Sequence, residues 1–240
     1  MAKIRKLGEV VRDLTDDLEP GTPRLSQGRP PIPTDSLTIE QLTALFFHAA
    51  RKMCPGFRLT EEISASVGLL FDWALRVRAA GAIDPDKGLL LYGSVGAGKT
   101  TMIHIIREFA SYVRPVTLGR YRGDSTGEPY SYAIVSCRDA CDRFTDSYYR
   151  GVRDYCRAPA ICFDELGAES IPTLHYGTAE NVMAYIIGAR YDRLRDLRAT
   201  HFTTNMAPRD IRAAYGDRIY DRLREMVNFV EFTGKSFRKG

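Results

Sequence analysis

The sequence predicts an α/β fold in which a mostly parallel sheet is flanked by helices, and three observations carry this prediction. Short apolar runs alternate with segments whose apolar residues recur at helical spacing. A glycine-rich loop lies between one such run and one such segment. A second apolar run ends in two consecutive carboxylates. Alternation of this kind favours a parallel sheet whose functional residues collect at the carboxyl ends of the strands.

The composition is that of an ordinary globular protein. Of the 240 residues, 44% are hydrophobic and 27% are charged, and the net charge is only +4. The sequence has no apolar run that could cross a membrane and no apolar core of a signal peptide, so we expect a cytoplasmic protein without a membrane partner. The five cysteines contain no C-x-x-C pair, which favours buried thiols over a zinc site.

Three consecutive parts are predicted along the chain. Residues 1–35 combine an amphipathic helix with a proline-rich linker, a pattern typical of partner docking, although the helix could equally fold back on its own domain. Residues 36–84 predict two helices, one over Ile39–Met53 and one from Thr60 to Gly81. Residues 85–240 contain the glycine-rich loop and form the main domain.

The glycine-rich loop has the spacing of a phosphate-binding P-loop. Gly93 is followed, after four residues, by Gly98, Lys99 and Thr100. Backbone N–H groups of such a loop, and the N-terminus of the helix after it, point at phosphate. Lys99 can reach the β- and γ-phosphates, and the Thr100 hydroxyl can hold Mg²⁺. The predicted nucleotide-binding residues are Gly93, Ser94, Val95, Gly96, Ala97, Gly98, Lys99, Thr100 and Thr101.

The apolar run Ala160–Phe163 ends in Asp164 and Glu165. A carboxylate at the end of a strand beside a P-loop can hold Mg²⁺, which is the predicted role of Asp164. Glu165 is then placed to orient or deprotonate an attacking water. Residues 164–167 also match the D-x-x-G pattern of GTPases, but the chain has no N-K-x-D sequence, so ATP with Mg²⁺ is predicted.

The remaining elements complete the alternation of strands and helices. They are a strand over 131–136, a helix over 138–150, a long helix over 178–197, a strand over 200–204, a helix from Pro208 to the break at Tyr215-Gly216-Asp217, and a last strand over 229–232. The polar residues that end the strand over 200–204 can contact a γ-phosphate or the attacking water.

Arginines and aromatic residues are interleaved just before the carboxylates. Arginines can hold phosphates while rings stack on bases, as in proteins that bind single-stranded DNA without sequence preference. A helix with buried rings and solvated arginines is an equally open interpretation. The candidate DNA-binding residues are Arg143, Tyr148, Tyr149, Arg150, Arg153 and Arg157.

Four motifs, taken in order, resemble the DnaC-type helicase loaders of the AAA+ class and the related IstB-type transposition ATPases. They are the P-loop, Phe-Asp-Glu-Leu-Gly at 163–167, Thr-Thr-Asn at 203–205 and Tyr-Gly-Asp-Arg-Ile-Tyr-Asp-Arg-Leu-Arg-Glu-Met at 215–226. The resemblance covers about residues 85–238. It implies a P-loop NTPase of the AAA+ type and, because the sequence ends at Gly240, a rudimentary lid.

The resemblance also implies roles for individual residues. Lys99 and Thr100 would belong to Walker A, Asp164 and Glu165 to Walker B, and Asn205 would be sensor 1.

The implied arginine finger is Arg222, which would reach the ATP of a neighbouring copy and make hydrolysis depend on assembly. Arg218, one helical turn earlier, is the rival for this role. Arg238 could serve as a sensor 2 residue, although no spacing argument supports it.

A resemblance to helicase loaders implies an ATPase that delivers replicative DNA helicase to single-stranded DNA and forms a nucleotide-dependent homo-oligomer. An IstB-like transposition ATPase, acting on target DNA with a transposase, is the first alternative. A nucleotide-gated DNA-binding adaptor with little turnover is the second, and Glu165 argues against it. A small-molecule kinase is a weaker alternative, since no signature of an acceptor pocket is evident.

Overall fold

The computed structural model describes residues 32–77, 83–114, 131–175, 178–194 and 199–233. The predicted N-terminal helix, most of the proline-rich linker and Arg238 lie outside these residues. The chain divides into two compact units, which are Met1–Pro85 with Thr101–Ser131, and Asp86–Thr100 with Tyr132–Gly240. No helix of the described ranges combines the length and the apolar character needed to cross a membrane.

The first unit contains helices and one short ladder. Its helices are α1 (Ile39–Met53), α2 (Glu61–Ala74) and the part of α3 (Lys99–Tyr112) that follows Thr100. The ladder is a parallel pair of β1 (Ile32–Pro33) and β3 (Val113–Arg114), and a 3₁₀ turn over Thr34–Ser36 follows β1. Helix α1 has the predicted bounds, whereas α2 ends at Ala74 and is shorter than the predicted helix, which continued to Gly81.

Three phenylalanines hold the first unit together. The Phe46 ring contacts Phe71 and Phe109 edge-on, with centroids 5.7 and 5.6 Å away, and Phe71 and Phe109 stack at 5.4 Å. All three side chains are buried. Because Phe109 lies on α3, this contact explains why the helix after the P-loop groups with α1 and α2.

The second unit is built on a five-stranded sheet in which all pairs of neighbours are parallel. Its strands are β2 (Gly88–Gly93), β4 (Ala133–Ser136), β5 (Ala160–Leu166), β8 (Ala199–Thr204) and β9 (Val227–Phe232). Their order is β4-β5-β8-β2-β9. The predicted α/β class with a parallel sheet is confirmed, and β8 lies between the P-loop strand and the strand that carries the two carboxylates.

Among the described residues, five helices and a hairpin connect β4, β5, β8 and β9. The helices are α4 (Cys137–Ser147), α5 (Tyr149–Arg157), α6 (Val182–Tyr191), α7 (Pro208–Tyr215) and α8 (Asp217–Met226). The hairpin pairs β6 (Thr173–His175) with β7 (Thr178–Glu180) in antiparallel fashion. Phe163 of β5 and Phe202 of β8 stack at 5.7 Å within the buried core of this unit.

Two further predicted helices are wrong in their extent. The single helix over 138–150 is two helices, because Tyr148 has a φ of 55° and interrupts the hydrogen-bond ladder between α4 and α5. The long helix over 178–197 is shorter, because residues 178–180 pair as a strand and Asn181 then caps α6, its side chain accepting the N–H of Ala184 at 3.0 Å. Residues 195–198 lie outside the described ranges.

Arg190 is a fully buried cation at the end of α6. Its Nη1 donates to the carbonyls of Tyr155 and Ala158 at 2.7 and 2.9 Å, its Nη2 to that of Ala199 at 3.0 Å, and its Nε to the Thr200 hydroxyl at 2.8 Å. A buried charge is tolerated when its donors are satisfied in this way. The guanidinium therefore fastens α6 to α5 and to the start of β8.

The cysteines behave as the sequence predicts. Cys137, Cys141, Cys156 and Cys162 are buried free thiols, and Cys54 is a half-buried one. Burial raises the pKa of Cys137 well above its ordinary value. Across the described parts of the chain no cluster of three or more His, Cys, Asp or Glu side chains could hold a metal ion.

Candidate functional site

The P-loop runs from the end of β2 to the start of α3 and requires glycine at several positions. Gly93 has a φ of 139°, and a Cβ there would lie 2.1 Å from the carbonyl oxygen of Phe232 on β9. Gly96 and Gly98 have φ values of 82° and 87°, which other residues rarely adopt. The loop therefore curls as a phosphate-binding loop must, and the predicted loop residues all lie in it or at the start of α3.

Lys99 lies inside this curl, with only 6% of the residue exposed. Its Nζ donates to the carbonyls of Gly93 at 2.9 Å and Ser94 at 2.7 Å, and to Asn205 Oδ1 at 2.8 Å. These acceptors match the three donors of an ammonium group. Desolvation lowers the pKa of Lys99, while the charges of Asp164 and Glu165 oppose that shift.

The Thr100 hydroxyl donates to Asp164, with distances of 3.0 and 3.3 Å to Oδ1 and Oδ2. A hydroxyl that donates to a carboxylate keeps its lone pairs for a cation. One hydroxyl and one carboxylate, completed by water and substrate phosphates, form the donor set that Mg²⁺ prefers in nucleotide enzymes. Thr100 and Asp164 thus form a donor set that fits Mg²⁺.

Glu165 follows in an uncommon backbone conformation. Its φ is 59°, and the pairing of β5 with β8 shifts register between Phe163 and Leu166. A non-glycine residue held in the left-handed region costs about 1–3 kcal/mol and is often found at functional sites. The turn leaves the Glu165 side chain exposed while the side chain of Leu166 returns to the core.

The loop after Glu165 is fastened by a buried carboxylate that the sequence analysis missed. Glu169 accepts the N–H of Gly167 at 2.8 Å and the hydroxyl of Tyr215. Burial and this carboxylate raise the pKa of Tyr215. Because Tyr215 ends α7, the loop is tied to the helix pair α7–α8. No spacing rule marks Glu169, whereas Tyr215 lies in the last of the four motifs.

Arg222 and Arg218 both lie on α8 but differ in surroundings. The Arg222 guanidinium lies 4.7 Å from the centre of the Tyr191 ring and forms an ion pair with Asp192 at 3.2 Å, and its side chain is 17% exposed. Arg218 is exposed. Among the contacts of the described residues, none joins either arginine to Lys99 or Asp164. The P-loop, Asp164 and Asn205 are thus brought together within one chain, and the two arginines are not.

The aromatic and basic residues of α4 and α5 pack partly on one another. The Tyr148 and Tyr149 rings lie 4.3 Å apart, Tyr149 lies 4.6 Å from Tyr185, and its hydroxyl donates to Glu180 at 2.9 Å. The Arg143 guanidinium lies 5.5 Å from the Tyr155 ring. The other three predicted arginines, Arg150, Arg153 and Arg157, are exposed.

The fold and the site together define a P-loop domain of the AAA+ type. Among solved structures, that of the DnaC helicase loader superposes with a TM-score of 0.53 at 16% sequence identity, over 78% of this chain and 98% of DnaC. The structure of DnaI gives a TM-score of 0.52 at 19% identity, over 78% of this chain and 94% of DnaI. The structure of a candidate primosome component from Streptococcus pyogenes serotype M3 gives a TM-score of 0.51 at 19% sequence identity, over 74% of this chain and 82% of the matched chain.

The fold of this chain is therefore a DnaC-type AAA+ fold. No protein-family model matches the sequence. No curated protein matches it significantly. At such low identity the structural similarity shows the fold, so the activity must be argued from the side chains.

Proposed function

We propose that this protein is a Mg²⁺-dependent ATPase of the AAA+ type that delivers replicative DNA helicase to single-stranded DNA. The observation that carries the ATPase part is the hydrogen-bonded set that joins Lys99, Thr100, Asp164 and Asn205. These side chains come from the P-loop, β5 and the end of β8, and they converge as a phosphate and a cation would require.

Each residue of this set has a task in hydrolysis. Lys99 exchanges its bonds with loop carbonyls for bonds with the β- and γ-phosphates. Thr100 and Asp164 hold Mg²⁺, which when bound neutralises charge on the phosphate oxygens. Glu165 orients the attacking water and takes its proton. Asn205, already bonded to Lys99, lies where it can sense the γ-phosphate.

The site is completed by an arginine from a neighbouring copy. Arg222 occupies the position that the motif assigns to the finger, and the contacts with Tyr191 and Asp192 hold its guanidinium in place. Ordering a long side chain beforehand lowers the entropy cost of using it. ATP then sets the assembly state, and hydrolysis releases the loader from its cytoplasmic client.

The ATPase proposal is tested by phosphate release from the full chain with ATP, Mg²⁺ and single-stranded DNA. Lys99→Ala is expected to abolish turnover because it removes the ammonium group that would bind the β- and γ-phosphates. Lys87→Ala is the matched control, since Lys87 bonds the Arg224 carbonyl in the same unit and holds no phosphate. Turnover that persists in Lys99→Ala, or is missing from the unaltered chain, would contradict the proposal.

The client is identified by separate pull-downs with a replicative helicase and with a transposase as bait. Helicase retention that depends on ATP is the expected result, because the DnaC helicase loader shares this fold over 98% of the matched chain. Retention by the transposase alone would favour the transposition ATPase. DNA binding with negligible turnover would favour the nucleotide-gated adaptor.

A further inference from the structure

Thr203 contacts the carboxylate of Asp164 and the backbone of Glu165. It is the fifth residue of β8 and is buried, with 1% of its surface exposed. Its hydroxyl donates to Asp164 Oδ1 and accepts the backbone N–H of Glu165 at 3.0 Å. One side chain thus holds the carboxylate that binds Mg²⁺ and the backbone of the residue that activates water.

The chemistry of these two bonds requires a hydroxyl. A threonine hydroxyl has one donor and can accept as well, and here it uses both capacities at once. The donated bond turns Asp164 toward Thr100, which bonds the same Oδ1 at 3.0 Å. The accepted bond satisfies the N–H of Glu165, whose left-handed conformation removes it from the regular ladder between β5 and β8.

We propose that Thr203 is a positioning residue that sets the rotamer of Asp164 and the backbone turn at Glu165 together, and so couples cation binding to water activation. This inference rests on the proposed ATPase function. Thr203 is buried and its hydroxyl bonds Asp164 and Glu165, so it acts through these two residues. Its neighbour Thr204 bonds the carbonyl of Leu166 and the N–H of Met206 instead, so the role belongs to one position of the strand.

The test compares Thr203→Val, which keeps the shape and removes the hydroxyl, with Thr203→Ser, which keeps the hydroxyl. Thr200→Val is the matched control. Thr200 is a buried threonine of the same strand, about 10 Å from Thr203, and its hydroxyl accepts from Arg190. Both valine variants therefore leave a buried N–H donor without its hydroxyl acceptor, but only Thr203→Val does so at the site.

Four quantities are measured on the full chain, with single-stranded DNA present for turnover. For Thr203→Val we expect a fall in kcat and in Mg²⁺ affinity of about 10–100-fold, the usual range for residues that orient ligands. Its ATP affinity without Mg²⁺ should stay at the wild-type value, because the P-loop is intact. Hydrogen exchange at the Glu165 amide should become faster, since that N–H has lost its acceptor.

Thr203→Ser should recover most of the kcat, the Mg²⁺ affinity and the Glu165 protection, and Thr200→Val should leave all three near wild type. Wild-type kcat and Glu165 protection in Thr203→Val would overturn the inference, as would equal losses in Thr200→Val. Absence of ATPase activity from the unaltered chain would contradict the proposed function but not the positioning role of Thr203. Exchange at Glu165 and the Mg²⁺ dependence of nucleotide affinity would still decide the role of Thr203.

Discussion

At the scale of single residues, His201 shows how the sheet selects a protonation state. The ring is fully buried on β8, and its Nδ1 accepts the backbone N–H of Leu89 at 3.1 Å, which requires that nitrogen to be unprotonated. The Tyr132 ring packs against it with centroids 4.5 Å apart. Burial, with a smaller contribution from the Arg190 charge, lowers the pKa of His201 to about 3.

This histidine predicts an acid-sensitive fold. The unfolded chain binds a proton near pH 6.5 and the folded chain only near pH 3, so stability falls as the pH drops from about 6.5. One proton contributes at most about 1.4 kcal/mol per pH unit. Denaturant titrations from pH 7 to 4, followed by circular dichroism, should show a shallower pH dependence for His201→Asn, whose amide oxygen can accept the Leu89 N–H.

Both proteins share the other acidic groups, so the difference between their slopes isolates His201. Equal slopes for His201→Asn and the unaltered chain would contradict the assignment of a neutral, buried ring.

At the scale of elements, the α4–α5 pair bears on the two interpretations that the sequence left open. Phe144 is buried, and Tyr148 and Tyr149 are half-buried in contact with it, as expected for a packed helix. Arg150 and Arg153 point away from that packing and are exposed, as a phosphate-binding face would require. We propose that the arginines of α5 contact the DNA backbone, with the tyrosines supporting the helix.

Replacing both Arg150 and Arg153 with glutamine should therefore weaken binding of single-stranded DNA. Each lost phosphate contact should reduce the slope of log affinity against log salt by about 0.7. Fluorescence anisotropy with a labelled oligonucleotide at several salt concentrations measures both effects. Arg209→Gln is the control, since Arg209 is an exposed arginine of α7 that pairs with Asp210.

The DNA proposal requires the two α5 arginines to differ from Arg209. Equal losses of affinity in the double variant and in the control would indicate a diffuse effect of net charge.

The limits of sequence patterns are clearest at this scale. Helical periodicity placed α1, and short apolar or β-branched runs placed each of the five sheet strands, because the central strands are buried almost continuously. The hydrophobic pattern missed the hairpin β6–β7, whose strands have only three residues each. It also continued one helix through Tyr148, because a single left-handed residue leaves the spacing of the apolar positions almost unchanged.

At the scale of the whole molecule, we propose that one copy holds the residues that bind nucleotide but lacks the arginine that completes hydrolysis. Lys99, Thr100 and Asp164 are assembled within the second unit, whereas Arg222 is held against α6 by Tyr191 and Asp192. An arginine that acts between copies makes turnover depend on concentration and on mixing. The proposed homo-oligomer can be tested by that property.

We predict complementation between two inactive variants. Lys99→Ala cannot turn over its own nucleotide but still offers Arg222, and Arg222→Ala binds nucleotide but offers no finger. Mixing them should restore phosphate release at interfaces where an intact arginine meets an intact P-loop. Arg218→Ala in place of Arg222→Ala distinguishes the two candidates, because only the variant that lacks the finger should be inactive alone.

Full turnover by Arg222→Ala as a monodisperse monomer would contradict a finger supplied between copies. Activity lost in Arg218→Ala and kept in Arg222→Ala would transfer the role to Arg218.

The sequence by itself determined the P-loop, the paired carboxylates at the end of a buried strand and the parallel α/β class. These features are local, because the glycine spacing, the apolar runs and the residues that end a strand are each defined by residues that are close together in the sequence. Arg190 lies on the apolar face of α6, with Ile186 and Ile187, and could have been noticed there as a buried cation.

Only the tertiary structure decided which other side chains form hydrogen bonds with the residues of the site and of the loop after it. Thr203 meets Asp164, and Tyr215 meets Glu169, across 39 and 46 residues of chain. Such pairs depend on the order of the strands and on the bulge at Glu165. Neither can be derived from the residues that lie between the two partners in the sequence. The physical reason is that a hydroxyl has no preferred partner until packing excludes water and leaves it one donor and one acceptor within reach.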